Sequence, residues 1–66
     1  MRGRVSEFDE PRGLGTVVAE DGTAYPFHCT AIADGTRDID PGTPVRFALR
    51  PGHLGRWEAT ALEKEP

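Results

Sequence analysis

Two histidines and one cysteine are the residues of this sequence that could ligate a metal or take part in nucleophilic catalysis. His28 and Cys29 are adjacent in the stretch YPFHC, and His53 follows much later in the chain. A structural zinc site needs four ligands, and a cysteine–histidine dyad needs both side chains within hydrogen-bond reach. Because neighbouring residues of a β-strand point to opposite faces, His28 and Cys29 meet neither requirement easily. The sequence predicts no metal site and no cofactor.

The hydroxyl and carboxyl groups form no catalytic set either. Ser6 is the only serine, and the carboxylate pairs Asp9-Glu10 and Glu20-Asp21 lie in turn-like segments typical of solvated charges. No combination supplies a nucleophile, a base and a stabilising group together, so the protein is not expected to be an enzyme. Cys29 has two interpretations, a half-buried filler or a thiol on a binding surface.

Arginine chemistry is the alternative that the composition offers. Seven of the eight basic residues are arginine, while eleven acidic residues give a net charge of −3. Arginine binds phosphate through a planar fork and stacks on bases, although arginine is also common in proteins of high-GC genomes. Most affinity for a polyanion comes from neutralised phosphates, so the arginines would have to gather on one face. Any nucleic-acid binding is therefore expected to be weak and salt-dependent.

A chain of 66 residues forms one domain and buries only about 60% of the surface of its unfolded form. We expect one domain over residues 1–63, a frayed tail at 64–66, and a shallow binding surface instead of an enclosed pocket. A single cysteine excludes an internal disulfide, and the charged start MRGRVSEFDE lacks the apolar run of a signal peptide. The expected protein is cytoplasmic, has no membrane partner, and is a monomer or weak dimer.

Five short strands should position these side chains. The dipeptide Asp21-Gly22 predicts a type I′ hairpin with two residues at positive φ. PVRFALR alternates, with Val45, Phe47 and Leu49 on one face. Pro26 requires an edge or a bulge, since it cannot donate a ladder hydrogen bond. The predicted strands cover residues 3–8, 15–20, 23–29, 44–50 and 57–62.

A polar connection at residues 30–43 follows the third strand. Ile32 and Ile39 are its apolar anchors, and the turn Asp40-Pro41-Gly42 is at its end. Short strands separated by turns, with one longer connection after the third, are typical of a small closed or partly open barrel. The predicted fold class is all-β, a five-stranded antiparallel barrel.

Five segments of the sequence form a pattern that covers nearly the whole chain. They are RGRV at 2–5, RGLGTV at 12–17, YPFHC at 25–29, TAI at 30–32 and PGTPVRF at 41–47. In this order they resemble the motifs of the cold-shock domain family, in which RGLGTV and YPFHC stand for the two ribonucleoprotein motifs. The resemblance implies an OB-fold barrel that binds single-stranded RNA or DNA and acts as an RNA chaperone or a regulator of gene expression.

The resemblance also assigns candidate binding residues. Phe8 and His28 match stacking positions, Arg12 matches the basic residue that opens the first motif, and Arg37 stands where the family often has lysine. Each has an alternative interpretation: Phe8 as a packing residue at the barrel edge, His28 as a solvated strand residue, and the arginines as solubilising charges.

Six positions at which the family carries stacking rings are not aromatic here. They are Glu7, Leu14, Thr16, Pro26, Cys29 and Thr36. Base–aromatic stacking contributes about 1–3 kcal/mol per base, so these replacements should weaken binding strongly. The alternative function is therefore an OB-fold that has lost nucleic-acid binding and uses the same face for a protein partner.

The loop RPGHLGRW, residues 50–57, is about two residues longer than the family's usual connection. It contains His53, Arg56 and the only tryptophan, Trp57. One hypothesis is that Trp57 or His53 stacks on a base while Arg56 contacts phosphate. The other is that Trp57 begins the last strand and packs on the end of the barrel.

Overall fold

Five antiparallel strands form one sheet in the computed structural model, which describes residues 1–52 and 55–65. The predicted strands are confirmed in type and order, and the last one continues two residues past Leu62 because Lys64 pairs with Val45. A 3₁₀ turn, Cys29–Ala31, follows the third strand. The bounds are β1 Arg2–Asp9, β2 Leu14–Ala19, β3 Ala24–His28, β4 Pro44–Pro51 and β5 Trp57–Lys64.

The sheet curls into a barrel that its hydrogen bonds do not completely close. The strand order is β3-β2-β1-β4-β5, so β3 and β5 are the two edges of the ladder. One parallel bridge, Ile32 with Leu62, joins the segment after the 3₁₀ turn to β5, and the Ala33 N–H donates to the Leu62 carbonyl at 2.8 Å. Pro26 lies in the edge strand β3, where a missing N–H is tolerated. The predicted five-stranded antiparallel barrel is confirmed, in its partly open form.

Two bulges curve the long strands. Ser6 is the extra residue of β1 between the pairs Val5–Val17 and Glu7–Thr16. In β5 the extra residue lies where Ala61 has φ 52, a left-handed conformation seldom adopted by residues other than glycine. Bulges of this kind bend a strand and increase its twist, which a small barrel requires.

The β2–β3 connection differs from the predicted type I′ hairpin. Gly22 has φ 89, but Asp21 is not at positive φ, so the type I′ prediction is wrong. The connection has four residues, 20–23, with the Gly22 N–H donating to the Ala19 carbonyl at 2.9 Å and the Ala19 N–H donating to the Thr23 carbonyl at 2.8 Å. The Asp21 carboxylate accepts from the Thr23 N–H at 2.9 Å, and this bond lowers the pKa of Asp21. That local bond favours the longer turn with one left-handed glycine.

The core is built from the inward-facing residues of all five strands. Val45 and Phe47 are buried and Leu49 is half-buried, as the alternation of β4 predicts, and the two anchors Ile32 and Ile39 are each 3% exposed. Trp57 begins β5, as one interpretation predicted, but it is 55% exposed and does not belong to the core cluster. None of the described residues belongs to a helix that could cross a membrane. The buried hydrophobic residues are Val5, Val17, Ala19, Phe27, Cys29, Ile32, Ile39, Val45, Phe47, Ala59 and Leu62.

Candidate nucleic-acid interface

The outer face of β1–β3 carries two rows of side chains that the pairing register aligns across the strands. The first outer row is Glu7, Thr16 and Pro26, and the second outer row is Asp9, Leu14 and His28. Directly paired residues point to the same face, and neighbouring strands are about 4.8 Å apart. Leu14 is 43% exposed, and Pro26 and His28 are also exposed. The face therefore combines apolar surface, two carboxylates and one imidazole ring.

An inner row, Phe8, Gly15 and Phe27, lies directly beneath these residues. The rings of Phe8 and Phe27 are stacked, with centroids 6.0 Å apart and planes 7° from parallel. Gly15 leaves the space that this contact needs, because a Cβ there would lie 2.5 Å from the Phe27 ring. Phe8 is half-buried against the core and also lines the surface groove above it. Phe8 thus forms part of the floor of the groove.

Gly13 and Cys29 fix the end of the face where β1 turns into β2. The Cys29 N–H donates to the Gly13 carbonyl at 2.7 Å, and Gly13 has φ 65. A Cβ at Gly13 would lie 2.8 Å from the Cys29 sulfur, which is itself packed in a residue only 3% exposed. Of the two interpretations of Cys29, the structure agrees with a buried filler.

Two shallow grooves meet at Arg12. The first groove, of about 410 Å³, is lined by Glu7, Phe8, Asp9, Arg12, Leu14, Gly15, Thr16, Pro26 and Phe27. The second groove, of about 330 Å³, is lined by Glu10, Pro11, Arg12, Gly13, His28, Cys29, Thr36, Arg37 and Asp38. Four of the six residues chosen from the sequence, Phe8, Arg12, His28 and Arg37, therefore line one continuous surface.

Three of the seven arginines make ion pairs, and four make none among the described residues: Arg4, Arg12, Arg37 and Arg56. Of these four, Arg12 and Arg37 line the two grooves. The three paired arginines lie away from the grooves, each with a glutamate: Arg2 with Glu65 at 3.4 Å, Arg46 with Glu63 at 3.3 Å and Arg50 with Glu58 at 2.6 Å. By contrast, neither Arg12 nor Arg37 makes an ion pair within residues 1–52 and 55–65. Their guanidinium groups are thus available to a phosphate, although Glu7, Asp9, Glu10 and Asp38 line the same grooves.

The connection after β3 holds Arg37 in a specific conformation. Arg37 has φ 58, so its backbone is left-handed. On the preceding turn the Asp34 carboxylate accepts from the Thr36 N–H at 3.0 Å and the Thr36 hydroxyl at 2.8 Å, and pairs with Lys64 of β5 at 3.1 Å. The Thr36 bonds, and then Lys64, lower the pKa of Asp34. These contacts tie the segment bearing Arg37 to the barrel.

His28 is oriented by the 3₁₀ turn that follows it. Its Nδ1 accepts from the Thr30 N–H at 3.3 Å and lies 3.0 Å from the Thr30 hydroxyl. A neutral ring that accepts at Nδ1 carries its proton on Nε2. The exposed ring therefore offers one donor and one flat face on the outer surface of β3.

The remaining candidates lie elsewhere. Arg56 and Trp57 are exposed but line neither groove. Trp57 pairs with Pro51 in the part of the β4–β5 hairpin that extends beyond Arg2, the first residue of β1. His53 lies outside the described residues. Within the part of the chain that the structure describes, no three His, Cys, Asp or Glu side chains are close enough to share a metal ion.

Sequence reasoning identified the positively charged and aromatic parts of this surface but not its complete lining. It treated Leu14 and Pro26 only as lost rings and Asp9 as a solvated charge, whereas all three line the first groove. The signal was present in the alternation of the strands. Only with the observed register, which a two-residue turn at Asp21-Gly22 would shift by one, does Leu14 lie opposite His28 and Thr16 opposite Pro26.

Comparison with known proteins agrees with this architecture. Two proteins of Bacillus cereus, both named cold shock-like protein CspC, are each 33% identical to this chain over 64 residues. The alignment covers 96% of this chain and 98% of each relative. No family model matches the chain. Identity at this level across the full length of both proteins, on a five-stranded antiparallel barrel, shows that the chain belongs to the cold-shock protein family.

Proposed function

We propose that this protein binds single-stranded RNA or DNA, weakly and in a salt-dependent way, along the two grooves at the end of β1–β3. The observation that carries the proposal is the position of Arg12 and Arg37. These two arginines have no ion-pair partner among the described residues and line the same groove as the exposed ring of His28. Phosphates would contact the guanidinium groups while bases stack on His28 and on the apolar surface of Leu14 and Pro26.

The weakness of the complex follows from the same surface. Among the groove residues, Phe27 is buried, so His28 and the half-buried Phe8 are the aromatic rings that a base could reach, and stacking contributes about 1–3 kcal/mol per base. Four carboxylates line the grooves and repel phosphate at low salt. An OB-fold can bind about 4–16 nucleotides, so several weak contacts add along one strand. In the cell such binding suits an RNA chaperone or a regulator of gene expression, which must release its strand readily.

Arg56 and Trp57 form a separate part of the proposal. They lie outside both grooves, so we assign them to the contact of a strand that extends beyond the groove residues. A short oligonucleotide confined to the grooves should leave the emission of Trp57 unchanged, and one long enough to pass the β4–β5 hairpin should quench it. Unchanged emission with a long strand whose binding is seen by another probe would remove Trp57 from the interface.

The decisive experiment is a titration with oligothymidine and with a mixed-sequence RNA at low and moderate salt. Binding should weaken as salt rises, and Arg12→Ala should lower the slope of log K against log salt by about one unit. Arg46→Ala is the matched control, since it removes an equal charge from an arginine already paired with Glu63. An unchanged slope for Arg12→Ala contradicts its phosphate role, and absence of binding even at low salt favours a protein partner instead.

A further inference from the structure

Glu7 places a carboxylate on the lining of the first groove. Glu7 is exposed, lines the groove beside Phe8, and has no ion-pair partner within the described residues. Its Oε1 accepts a long hydrogen bond from the Thr16 hydroxyl at 3.4 Å, which directs the carboxylate across the face toward β2. One of its oxygens and most of its hydrogen-bonding capacity remain available.

The apolar surface next to Glu7 sets how a base can lie. Pro26 on β3 and Leu14 on β2 are exposed and line the same groove. Neighbouring strands are about 4.8 Å apart, so a base resting on these two side chains extends its edge toward β1. On β1 two carboxylates line this groove: Glu7 is in the row of Pro26, and Asp9 is in the row of Leu14. Arg37 lines the second groove, which shares Arg12 with the first. A strand whose phosphates contact Arg12 and Arg37 can therefore present the edge of a base resting on Pro26 to Glu7.

A carboxylate in this position distinguishes the bases by their donors. An ionised carboxylate only accepts hydrogen bonds, and it accepts two in parallel when the partner offers two adjacent donors. On its Watson–Crick edge guanine presents N1–H next to the N2 amino group, which fits this requirement. Adenine and cytosine each offer one amino group beside a ring nitrogen that accepts, and thymine and uracil offer one N–H between two carbonyl oxygens.

We propose that Glu7 makes this interface prefer guanine, by accepting hydrogen bonds from guanine N1–H and N2–H₂ while the base stacks on Leu14 and Pro26. The inference rests on the proposed function, because it requires a single strand in the first groove. Glu7 then has a second role besides repulsion. Its carboxylate lowers the affinity for every single strand, and a hydrogen-bonded guanine offsets that loss.

The test compares oligothymidine strands that differ at one central position. The base there is thymine, adenine, guanine or inosine, and binding is measured at low salt by the anisotropy of a fluorescent label. We expect guanine to increase the affinity about tenfold over thymine and adenine, since a bidentate contact discriminates by about that factor. Inosine lacks the N2 amino group and should fall between guanine and adenine. Adenine controls for the greater stacking of any purine.

Two variants identify the residue responsible. Glu7→Gln should bind the thymine and adenine strands somewhat more tightly, because a negative charge is gone, while its preference for guanine should fall below about threefold. Glu20→Gln removes the same charge from the β2–β3 connection, about 13 Å along β2 from Thr16, and should keep the full preference. Retained preference in Glu7→Gln overturns the inference.

The outcomes also separate this inference from the proposed function. Equal, salt-dependent binding of all four strands overturns the guanine preference and leaves single-strand binding standing. No binding of any strand at low salt overturns both.

Discussion

The inner row and the first outer row are one residue apart on the same three strands, yet they differ in how tightly their side chains are packed. The inner row is Phe8, Gly15 and Phe27, and the first outer row is Glu7, Thr16 and Pro26. Phe27 is 2% exposed, and Gly15 has no space for a methyl group. The outer row is exposed or half-buried and contacts itself only through one long hydrogen bond of 3.4 Å. Alternation along a strand thus separates the residues that specify the barrel from those that specify what it binds.

The largest expected difference between the inner row and the outer face is the effect of a substitution on the free energy of unfolding. Phe27→Ala removes a buried ring from the core and should lower the free energy of unfolding by about 3–5 kcal/mol. Leu14→Ala shortens an exposed side chain and should change it by less than about 0.5 kcal/mol. Urea unfolding of both variants checks this, and similar losses would show that the outer face also holds the fold together.

A smaller effect is expected at Gly15, where the two layers are closest. Gly15→Ala places a Cβ 2.5 Å from the Phe27 ring and 2.9 Å from the Glu7 carbonyl, so the variant should lose about 1–3 kcal/mol. Thr16→Ala, the next residue and on the outer face, is the control and should lose under about 0.5 kcal/mol. Equal thermal midpoints for Gly15→Ala and the unmodified protein would contradict the close contact.

A substitution on the outer face should increase affinity for a single strand without lowering the free energy of unfolding. Leu14→Phe adds a ring to the groove, and one stacked base should tighten oligothymidine binding about tenfold. Ala24→Phe adds a ring at an exposed position of β3 outside the grooves and should leave affinity unchanged. Fluorescence anisotropy measures both, and equal gains would show that added apolar surface acts nonspecifically.

The smallest effect concerns the turn that carries Arg37. Because the folded-state pKa of Asp34 is lowered, its charge contributes stability above the unfolded value, near pH 4, and the contribution is lost as pH falls through the folded value. Asp34→Asn should therefore melt slightly below the unmodified protein at pH 7 and together with it in strong acid. It should also weaken oligonucleotide binding a little through Arg37.

Asp21→Asn is the matched control for that turn. Asp21 has a pKa lowered by the Thr23 N–H in the same way, but it lies in the β2–β3 connection, away from both grooves. It should show the same dependence on pH with no change in binding. An equal loss of binding in Asp21→Asn would contradict the role of the Asp34 turn, because that variant leaves the segment of Arg37 unchanged.

The sequence predicted the fold well because barrel-forming signals are local. The alternation of Val45, Phe47 and Leu49 and the glycines around Leu14 each act within a few residues, and the structure agrees with them. The errors arose where one local signal competed with another. Asp21 accepts from Thr23 instead of adopting positive φ, and Trp57 begins β5 as predicted but is exposed instead of packing on the barrel.

The binding surface was harder to predict because it depends on relations between distant residues. The pairing of Arg2, Arg46 and Arg50 with glutamates, which leaves Arg12 and Arg37 available, requires contacts across strands. Charge counting gives only a net value and cannot separate paired from unpaired arginines. The lining by Asp9 and Pro26 likewise depends on register, which a turn of uncertain length does not fix.

The incomplete ladder between β3 and β5 has a kinetic consequence. Strand β1 is hydrogen-bonded to β2 and to β4, whereas β3 is paired only with β2, and one bridge from Ile32, beyond β3, reaches Leu62 of β5. Amide hydrogens in the middle of β1 exchange with solvent only when the whole domain unfolds, while those on the facing edges exchange through small local openings. The barrel thus has a seam beside β3, so the strand that carries His28 can move apart from its neighbour without loss of the global fold.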